Sequence, residues 1–427
     1  MLKALIKYLA IFLISVAVVY QYQGYIAKLR LIPVGIIKLI FPEKRVEPII
    51  DKNIPEDKLT SKILSANSFK VYVDEVDYFA GYNKNQDGSL NNQHKSAGLY
   101  GKHLNNKTLL ELYTRDGSLI TKNKISQFDL PRNYDSHNSQ GGIRGIFFLN
   151  EEPYAYMATK KIGCQNMSII SLKSKIEIFE TDCLPDYIAI HFDGVGGASM
   201  HYKENILLSI GVPTNSSKLI RNLAQNNESY FGKIISINKA SILNKEIKTK
   251  VKNYTSGHRN PQGLAKINGN IFSAEHGPHG GDELNILKEN VNYGWPIASY
   301  GTSYERGFVS ASYKLNHKKN NFREPLMQFT PSVAISDLTN CSKQLIEHYN
   351  REGCLLATTL RDKSLVIILL SDDFNRVIGY EKIEFGERLR HIAKQYNSEL
   401  FQEDDGSIYI TSDSGRVLKV QFKLIRD

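Results

Sequence analysis

Residues 257–301 read GHRNPQGLAKINGNIFSAEHGPHGGDELNILKENVNYGWPIASYG, a run in which polar residues and turns follow one another at close spacing. A cation and two amides, Arg259, Asn260 and Gln262, precede a Glu-His-Gly-Pro turn, and carboxylates follow it. Cations, amides, carboxylates and the backbone carbonyls of a Gly-Pro turn can together hold an anionic cofactor through a hard metal ion. This stretch therefore predicts a cofactor site.

Outside this stretch the chain consists of short β-type runs separated by turn residues. The clearest runs are FKVYV (69–73), GIFFL (145–149), ILLSI (206–210), GKIISIN (232–238), SLVIILL (364–370), SIYIT (407–411) and RVLKVQF (416–422). Long amphipathic helical patterns are nearly absent, apart from Ser342–Tyr349. Many short strands over about 360 residues favour a propeller or a large sandwich. No strict repeat is visible, so the strand pattern alone does not give a number of blades.

The composition permits a large core and argues against a nucleic-acid partner. Hydrophobic residues make up 41% of the 427 residues, and the formal net charge is +10. The lysines are scattered, with no dense basic block and no nucleic-acid motif, so we expect no binding of nucleic acid.

The N-terminus carries an export signal. Lys3 and Lys7 precede an apolar run of about 13 residues from Tyr8 to Tyr20, which is short for a spanning helix and typical of an export segment. A signal anchor and a cleaved signal peptide both fit residues 1–22. A proline-containing linker follows at 23–66. We expect an exported, periplasmic protein attached to the inner membrane by its N-terminal segment.

The four cysteines form two pairs that are close in sequence, Cys164 with Cys183 and Cys341 with Cys354. No Cys/His spacing suggests zinc. Export favours disulfides, and we expect the two local pairings, with four buried free thiols as the alternative.

These motifs resemble the signature of the glucose/sorbosone dehydrogenase family, soluble aldose dehydrogenases that use pyrroloquinoline quinone (PQQ). The resemblance runs from about Gln140 to Val420 and is loose over residues 67–135. It implies an all-β, six-bladed β-propeller over residues 67–427. It also implies PQQ-dependent oxidation of an aldose at C1 to a lactone, with electrons passed to an external acceptor such as a quinone.

The resemblance also assigns roles to individual residues. His191, in IHFDGVGG (190–197), corresponds to the base, a task that suits histidine because its pKa lies near working pH. Arg259 and Asn260 correspond to contacts of the quinone oxygens, with Gln262 beside them. Arg388 and Arg390 correspond to a clamp on the PQQ carboxylates. They suit this role because alternate strand residues share one face and guanidinium groups bind carboxylates bidentately. The family pattern adds Arg361 to this clamp and Gln140 to the pocket rim.

The metal expected from the resemblance is Ca²⁺, at two places. The carbonyls of Gly277 and Pro278 correspond to the pair that holds the cofactor-bridging ion. Glu283 and the carbonyl of Tyr293 correspond to ligands of a second ion, with Glu305 a weaker third candidate. His276 and His279 are not assigned to any metal.

Three positions depart from the family pattern: Ala198 replaces an arginine, Val212 an acidic residue and Arg144 a leucine. These departures keep open a non-catalytic propeller that binds a glycan or a protein partner. A propeller hydrolase would place several carboxylates on one central metal, a pattern that this sequence does not show. The enzyme hypothesis requires His191, Arg259, Arg388 and Arg390 to converge at one mouth of the propeller.

Overall fold

The computed structural model describes residues 61–65, 69–79, 82, 95–105, 107–122, 124–135, 141–214, 217–245, 251–302 and 313–424. The chain divides into two compact units, Met1–Ile50 and Asp51–Asp427, and every described residue belongs to the second. The predicted export segment at 1–22 and most of the linker at 23–66 lie outside the described residues. Within these residues, no helix has both the length and the apolar character needed to span a bilayer.

Six largely antiparallel sheets form the blades of a propeller, which confirms the predicted fold. Blade 1 contains β3 (Ser96–Leu104), β4 (Lys107–Thr114), β5 (Ser118–Thr121) and β6 (Lys124–Gln127). Blade 2 contains β7 (Ile143–Leu149), β8 (Glu152–Lys161), β9 (Cys164–Ser171), β10 (Glu177–Glu180) and β11 (Leu184–Pro185). Blade 3 contains β12 (Gly196–Tyr202), β13 (Asn205–Ile210), β14 (Lys233–Asn238), β15 (Val251–Ser256) and the parallel β19 (Val291–Asn292).

The remaining three sheets complete the ring. Blade 4 contains β16 (Pro261–Ile267), β17 (Asn270–Glu275), β18 (Asp282–Leu287) and β20 (Met327–Phe329). Blade 5 contains β21 (Ile335–Asn340), β22 (Cys354–Thr359), β23 (Ser364–Leu370) and β24 (Val377–Glu384). Blade 6 contains β25 (Leu389–Ile392), β26 (Ile408–Ser412), β27 (Val417–Leu424), β2 (Phe69–Glu75) and β1 (Ser61–Ser65). The first strands of successive blades contact one another in order, and β25 of blade 6 contacts β3 of blade 1.

Blade 6 joins the two ends of the propeller. β2 pairs antiparallel with β27, with Val71 opposite Phe422, and β1 pairs with β2. Residues 61–65, at the end of the linker predicted over 23–66, therefore pair with the edge of this blade. The segment SKILS has only two apolar residues and no alternation, so nothing local predicted that it would pair along the edge of β2.

Both faces of the blades are buried against neighbouring blades. On β23, Val366 and Ile368 pack into one apolar cluster with β17 and β18, while Leu365 and Ile367 pack into another with β26 and β27. Because successive strand residues point to opposite faces, a strand between two blades reads as a continuous apolar run. Each such side chain stabilises the fold by about 1.5–3 kcal/mol.

Glycine allows the inner strands of blades 2 and 3 to approach each other near the axis. A Cβ on Gly145 would lie 2.0 Å from the carbonyl oxygen of Gly197, which itself has a φ of 119°. The glycine pair that follows the predicted base therefore has a packing role, because any side chain there would separate the two strands.

Helices are few and short in the described part of the chain. The α-helices are α1 (Lys218–Arg221), α2 (Lys239–Leu243) and α3 (Lys343–Tyr349), and 3₁₀ turns occur at Asp77–Phe79, Phe192–Gly194, Asn222–Gln225 and Lys318–Asn320. The helix predicted over 342–349 is confirmed as α3. Both local disulfides are also confirmed, each with a Cα–Cα distance of 5.3 Å.

Candidate active site

One mouth of the propeller is formed by the N-terminal ends of the six innermost strands. Since these strands run in the same direction around the axis, the residues that precede or begin them meet at the same mouth. A cavity of about 570 Å³ lies there and receives residues from every blade. It is lined by Lys95, Arg115, Arg144, Asp193, Gly194, Thr214, Arg259, Asn260, Gln262, His276, Gly277, Ser332, Ala334, Leu360, Arg361, Arg388 and Arg390.

The predicted site residues occupy different positions relative to this cavity. Seven of them line this cavity: Arg259, Asn260, Gln262, Gly277, Arg361, Arg388 and Arg390. His191 is exposed beside it, and its backbone exchanges two hydrogen bonds, of 3.0 and 2.8 Å, with that of the lining residue Thr214. Gln140 and Glu305 lie outside the described residues. The structure brings His191 and the seven lining residues to one mouth, whereas the metal candidates Glu283 and Tyr293 line a separate, smaller cavity. The chemical roles of all these residues stay predictions.

Two arginines of blade 6 share one carboxylate. Arg390 donates from Nε and Nη2 to Asp413 at 2.5 and 2.7 Å, and Arg388 donates from Nε to the same side chain at 3.0 Å. Although burial of Asp413 opposes its ionisation, the Arg390 guanidinium holds the pKa of Asp413 below its ordinary value. Asp413 thus fixes both guanidinium groups.

Buried polar groups hold the turn that carries Arg259. Glu275 accepts from the Arg259 backbone N–H at 2.8 Å, and Nδ1 of the fully buried His258 lies 3.0 Å from the same carboxylate. The Arg259 guanidinium donates to the His276 carbonyl at 3.0 Å and lies over the Trp295 ring, 5.4 Å from its centroid. The cation therefore has a fixed direction before any ligand binds.

Asn260 and Gln262 connect blades 3 and 4. Asn260 Oδ1 accepts from the Gly196 N–H at 3.1 Å and from Gln262 Nε2 at 2.7 Å, and Gln262 Nε2 also lies 3.2 Å from the Gly196 carbonyl. Val212, where an acidic residue was expected, donates its backbone N–H to the Arg259 carbonyl at 2.8 Å. The backbone can make that contact whatever the side chain at position 212.

The Gly-Pro turn is held by Asp282. Its carboxylate accepts from the Gly277 N–H at 2.9 Å, from the Ser332 hydroxyl at 2.7 Å and from the Ala334 N–H at 2.6 Å. Because this carboxylate holds the turn through its hydrogen bonds, the backbone carbonyls of the turn are the oxygens that we consider for an ion. In the described part of the chain, no group of three or more His, Cys, Asp or Glu side chains is placed to hold a metal. A calcium ion here would depend on carbonyl ligands.

Beneath the turn lies a buried acidic compartment. Asn285 donates to both Glu275 and Glu283, at 3.1 and 3.2 Å, so these two carboxylates are close together. The pKa of Glu283 is well above its ordinary value, mainly because the side chain is buried and also because the charge of Glu275 is close. Within the described residues, Asn285 Oδ1 and His317 Nδ1 are buried without a hydrogen-bond partner.

A small cavity beside these carboxylates fits an ion. It has a volume of about 10 Å³ and is lined by Glu275, Glu283 and Tyr293, among others. That volume approaches what one water molecule or one ion needs. The carboxylates of Glu275 and Glu283 supply hard oxygens of the kind that Ca²⁺ binds, and the cation Arg259 also lines this cavity.

Residues 171–419, more than half of the chain, match the family described as Glucose / Sorbosone dehydrogenase. The chain belongs to this family. It is 31% identical over 233 residues to an uncharacterized protein of Synechocystis, which covers 51% of the chain and 53% of that protein. It is 28% identical over 184 residues to aldose sugar dehydrogenase YliI of Escherichia coli, covering 41% and 45%. The chain spans about half the length of these curated relatives.

Solved structures support the fold. The PQQ-bound form of aldose sugar dehydrogenase from Streptomyces coelicolor superposes with a TM-score of 0.53 at 19% identity, covering 84% of this chain and 100% of that one. At this identity the likeness establishes the propeller fold and not a shared chemistry.

Three cations of this glucose/sorbosone dehydrogenase family member were not predicted as site residues. Lys95 and Arg115 come from blade 1, where the resemblance is loose, and Arg144 was noted only as a departure. Burial lowers the pKa of Lys95 to about 8 and that of Arg144 to about 10. The pKa of Arg115 is well below its ordinary value because of burial and the nearby charges of Arg144 and Arg390.

The acidic compartment gives a pH-dependent prediction. Because the folded protein holds a proton on Glu283 above the ordinary carboxyl pKa of about 4.3, metal-free protein should lose stability as pH rises from that value toward the raised pKa. Glu283→Gln should remove this loss, raising the melting temperature at pH 7 by about 1–3 °C without calcium. Thermal unfolding of both proteins from pH 4 to 8 measures the effect.

The same unfolding experiment is repeated with added Ca²⁺ and with a control substitution at an exposed residue. The unsubstituted protein should gain stability on addition of Ca²⁺ at pH 7, and Glu283→Gln should gain less. Glu289→Gln, an exposed control, should behave like the unsubstituted protein. Equal calcium responses in all three proteins would exclude Glu283 as a ligand.

Proposed function

We propose that this protein is a PQQ-dependent aldose dehydrogenase that oxidises its substrate at C1 to a lactone. The observation that carries the proposal is the cavity onto which four arginines from blades 4, 5 and 6 converge, Arg259, Arg361, Arg388 and Arg390. PQQ is a planar quinone with three carboxylates, so it needs such a set of cations and a flat space between them.

The residues present fit the cofactor. Arg388, Arg390 and Arg361 would bind its carboxylates, since their guanidinium groups face one cavity and two are already fixed by Asp413. Arg259 and Asn260 would lie at the quinone oxygens, with Gln262 beside them. Gln140 is proposed for the rim on the resemblance alone. When bound, PQQ supplies the acceptor for the hydride that leaves C1.

His191 is the proposed base. It is exposed beside the cavity, where it would take the proton of the C1 hydroxyl as the C1–H bond breaks and the lactone carbonyl forms. The two electrons removed from the sugar pass through the cofactor to an external acceptor, which we propose is a membrane quinone.

We further propose two calcium ions. The carbonyls of Gly277 and Pro278 would bind the first beside the cofactor, and Glu283 with the Tyr293 carbonyl would bind the second in the acidic compartment. The supporting observations are the carbonyl-rich turn tied by Asp282 and the two adjacent buried carboxylates. Export and attachment through residues 1–22 are proposed from the apolar N-terminal run, and two disulfides favour an oxidising compartment.

The first test measures cofactor binding through the fluorescence of the one tryptophan in the sequence. Trp295 lies next to Arg259, so PQQ in the cavity should quench its fluorescence in a saturable way. Removing Ca²⁺ with a chelator should weaken the affinity for PQQ by roughly tenfold or more, about 1.4 kcal/mol per tenfold. Full-length protein is titrated with PQQ with and without Ca²⁺.

Aldose-dependent reduction of a redox dye by the same loaded protein completes the test. Arg376→Gln, which removes an exposed arginine outside the cavity, is the matched control and should change neither signal. Absence of saturable quenching and of dye reduction would favour a propeller that binds a glycan or a protein partner without catalysis.

A further inference from the structure

The six arginines of the cavity fall into two groups by blade. Arg259, Arg361, Arg388 and Arg390 come from blades 4, 5 and 6, the side to which the cofactor is assigned. Arg115 and Arg144 come from blades 1 and 2. We call these two the second arginine pair. The proposed binding of PQQ does not use them.

The second arginine pair lies beside the loop of the proposed base. Arg144 donates from Nη2 to the carbonyl of Asp193 at 3.1 Å, and Asp193 follows His191 by two residues in the same loop. Arg144 is buried, and Arg115 is partly buried in the same cavity. These guanidinium groups are therefore near the place where a sugar must lie if His191 takes its proton.

The positive charge around the cavity is larger than the three carboxylates of the cofactor would neutralise. Seven cations and one carboxylate, Asp193, line it, and Asp413 neutralises one further charge from beneath. Three cofactor carboxylates would then still leave about two positive charges, and a bound calcium ion would add to them. Burial first, and then the charges of Arg144 and Arg390, lower the pKa of Arg115, so the like charges that share this cavity repel one another. An additional anion in the cavity would relieve this repulsion.

We propose that the aldose oxidised by this protein carries an anionic group, which Arg115 and Arg144 bind. A carboxylate, as in a hexuronate, and a phosphate, as in a hexose phosphate, share the required chemistry. The proposal rests on the proposed dehydrogenase function. The cavity volume of about 570 Å³ falls in the usual range for small-molecule pockets.

The test compares D-glucose, D-glucuronate and glucose 6-phosphate as substrates of full-length protein loaded with PQQ and Ca²⁺. We expect kcat/KM for one anionic sugar to exceed that for glucose by at least about tenfold, the lower end of the effect of a charged hydrogen bond. The preferred anion identifies the group as carboxylate or phosphate. Increasing salt should raise KM for the anionic sugar and leave that for glucose unchanged, because salt screens the attraction.

Substitutions in the second arginine pair locate the effect. Arg144→Leu and, separately, Arg115→Gln should lower kcat/KM for the anionic sugar by about 10- to 100-fold through KM, and that for glucose by less than about threefold. Arg115→Gln keeps the test valid if loss of the buried Arg144 prevents folding. Arg376→Gln again serves as the arginine-to-glutamine control and should alter neither substrate.

The results that would contradict this proposal differ from those that would contradict the dehydrogenase function. Equal kcat/KM for glucose and both anionic sugars, or equal losses on neutral and anionic sugars in the variants, would overturn the proposal and assign the pair to support of the loop or cofactor. Failure to oxidise all three sugars despite saturable PQQ binding would overturn the dehydrogenase function itself, and this proposal with it.

Discussion

His191→Ala should bind PQQ with unchanged affinity and lose roughly two to four orders of magnitude in turnover, the usual contribution of a positioned base. The side chain is exposed beside the cavity and its backbone is held by paired hydrogen bonds to Thr214, so truncation removes the imidazole without removing the loop. Dye reduction at saturating aldose measures turnover, and quenching of Trp295 measures cofactor affinity.

Arg388→Ala is the matched comparison for this experiment. Arg388 lines the cavity and is half-exposed, so its loss should weaken PQQ binding by about 1.5–3 kcal/mol, the worth of a hydrogen bond between charged groups. Its turnover should largely return at saturating cofactor, because the chemical step does not use it. If His191→Ala keeps full turnover, the base lies elsewhere; if both variants lose only affinity, both residues serve the cofactor.

Much of the propeller could be predicted from the sequence because its strands are buried on both faces. A run such as SLVIILL must be a strand between two layers, and the structure has β23 at Ser364–Leu370. The number of blades could not be derived in this way, since it depends on how six inner strands contact one another around an axis. Similarly, β1 has no apolar pattern of its own and is defined by pairing with β2.

The same distinction applies to the candidate site, where local sequence reveals some residues and only the folded chain reveals the others. Residues in the 257–301 stretch were found because their spacing is local, as in the Arg259 turn and the Gly277 turn. Lys95, Arg115 and Asp413 were missed as site residues because Lys95 only precedes β3 and the other two lie in turns whose local sequence marks no site. Antiparallel pairing of β25 with β26 brings Asp413 to Arg390, 23 residues away, and no local pattern marks such a contact.

The carboxylate of Asp413 also affects the stability of the folded protein. Arg390 is only 5% exposed and gives two hydrogen bonds to this carboxylate. Because the pKa of Asp413 is held below its ordinary value of about 3.9, the stabilisation is present above that pH and is lost as pH falls through the folded pKa. Stability that depends on Asp413 should therefore decline in acid.

Asp413→Ala should lower the free energy of unfolding of the cofactor-free protein by about 3–5 kcal/mol at pH 7, because it leaves the buried charge of Arg390 without its partner. Urea unfolding of the full-length protein measures the loss, which should shrink at low pH. Asp404→Ala, in an exposed turn of the same blade, should stay within about 0.5 kcal/mol of the unsubstituted protein. The double variant Asp413→Ala/Arg390→Met should recover much of the loss, since no buried charge then remains. A double variant as unstable as Asp413→Ala alone would show that Asp413 supports the turn after β26 and not the guanidinium of Arg390.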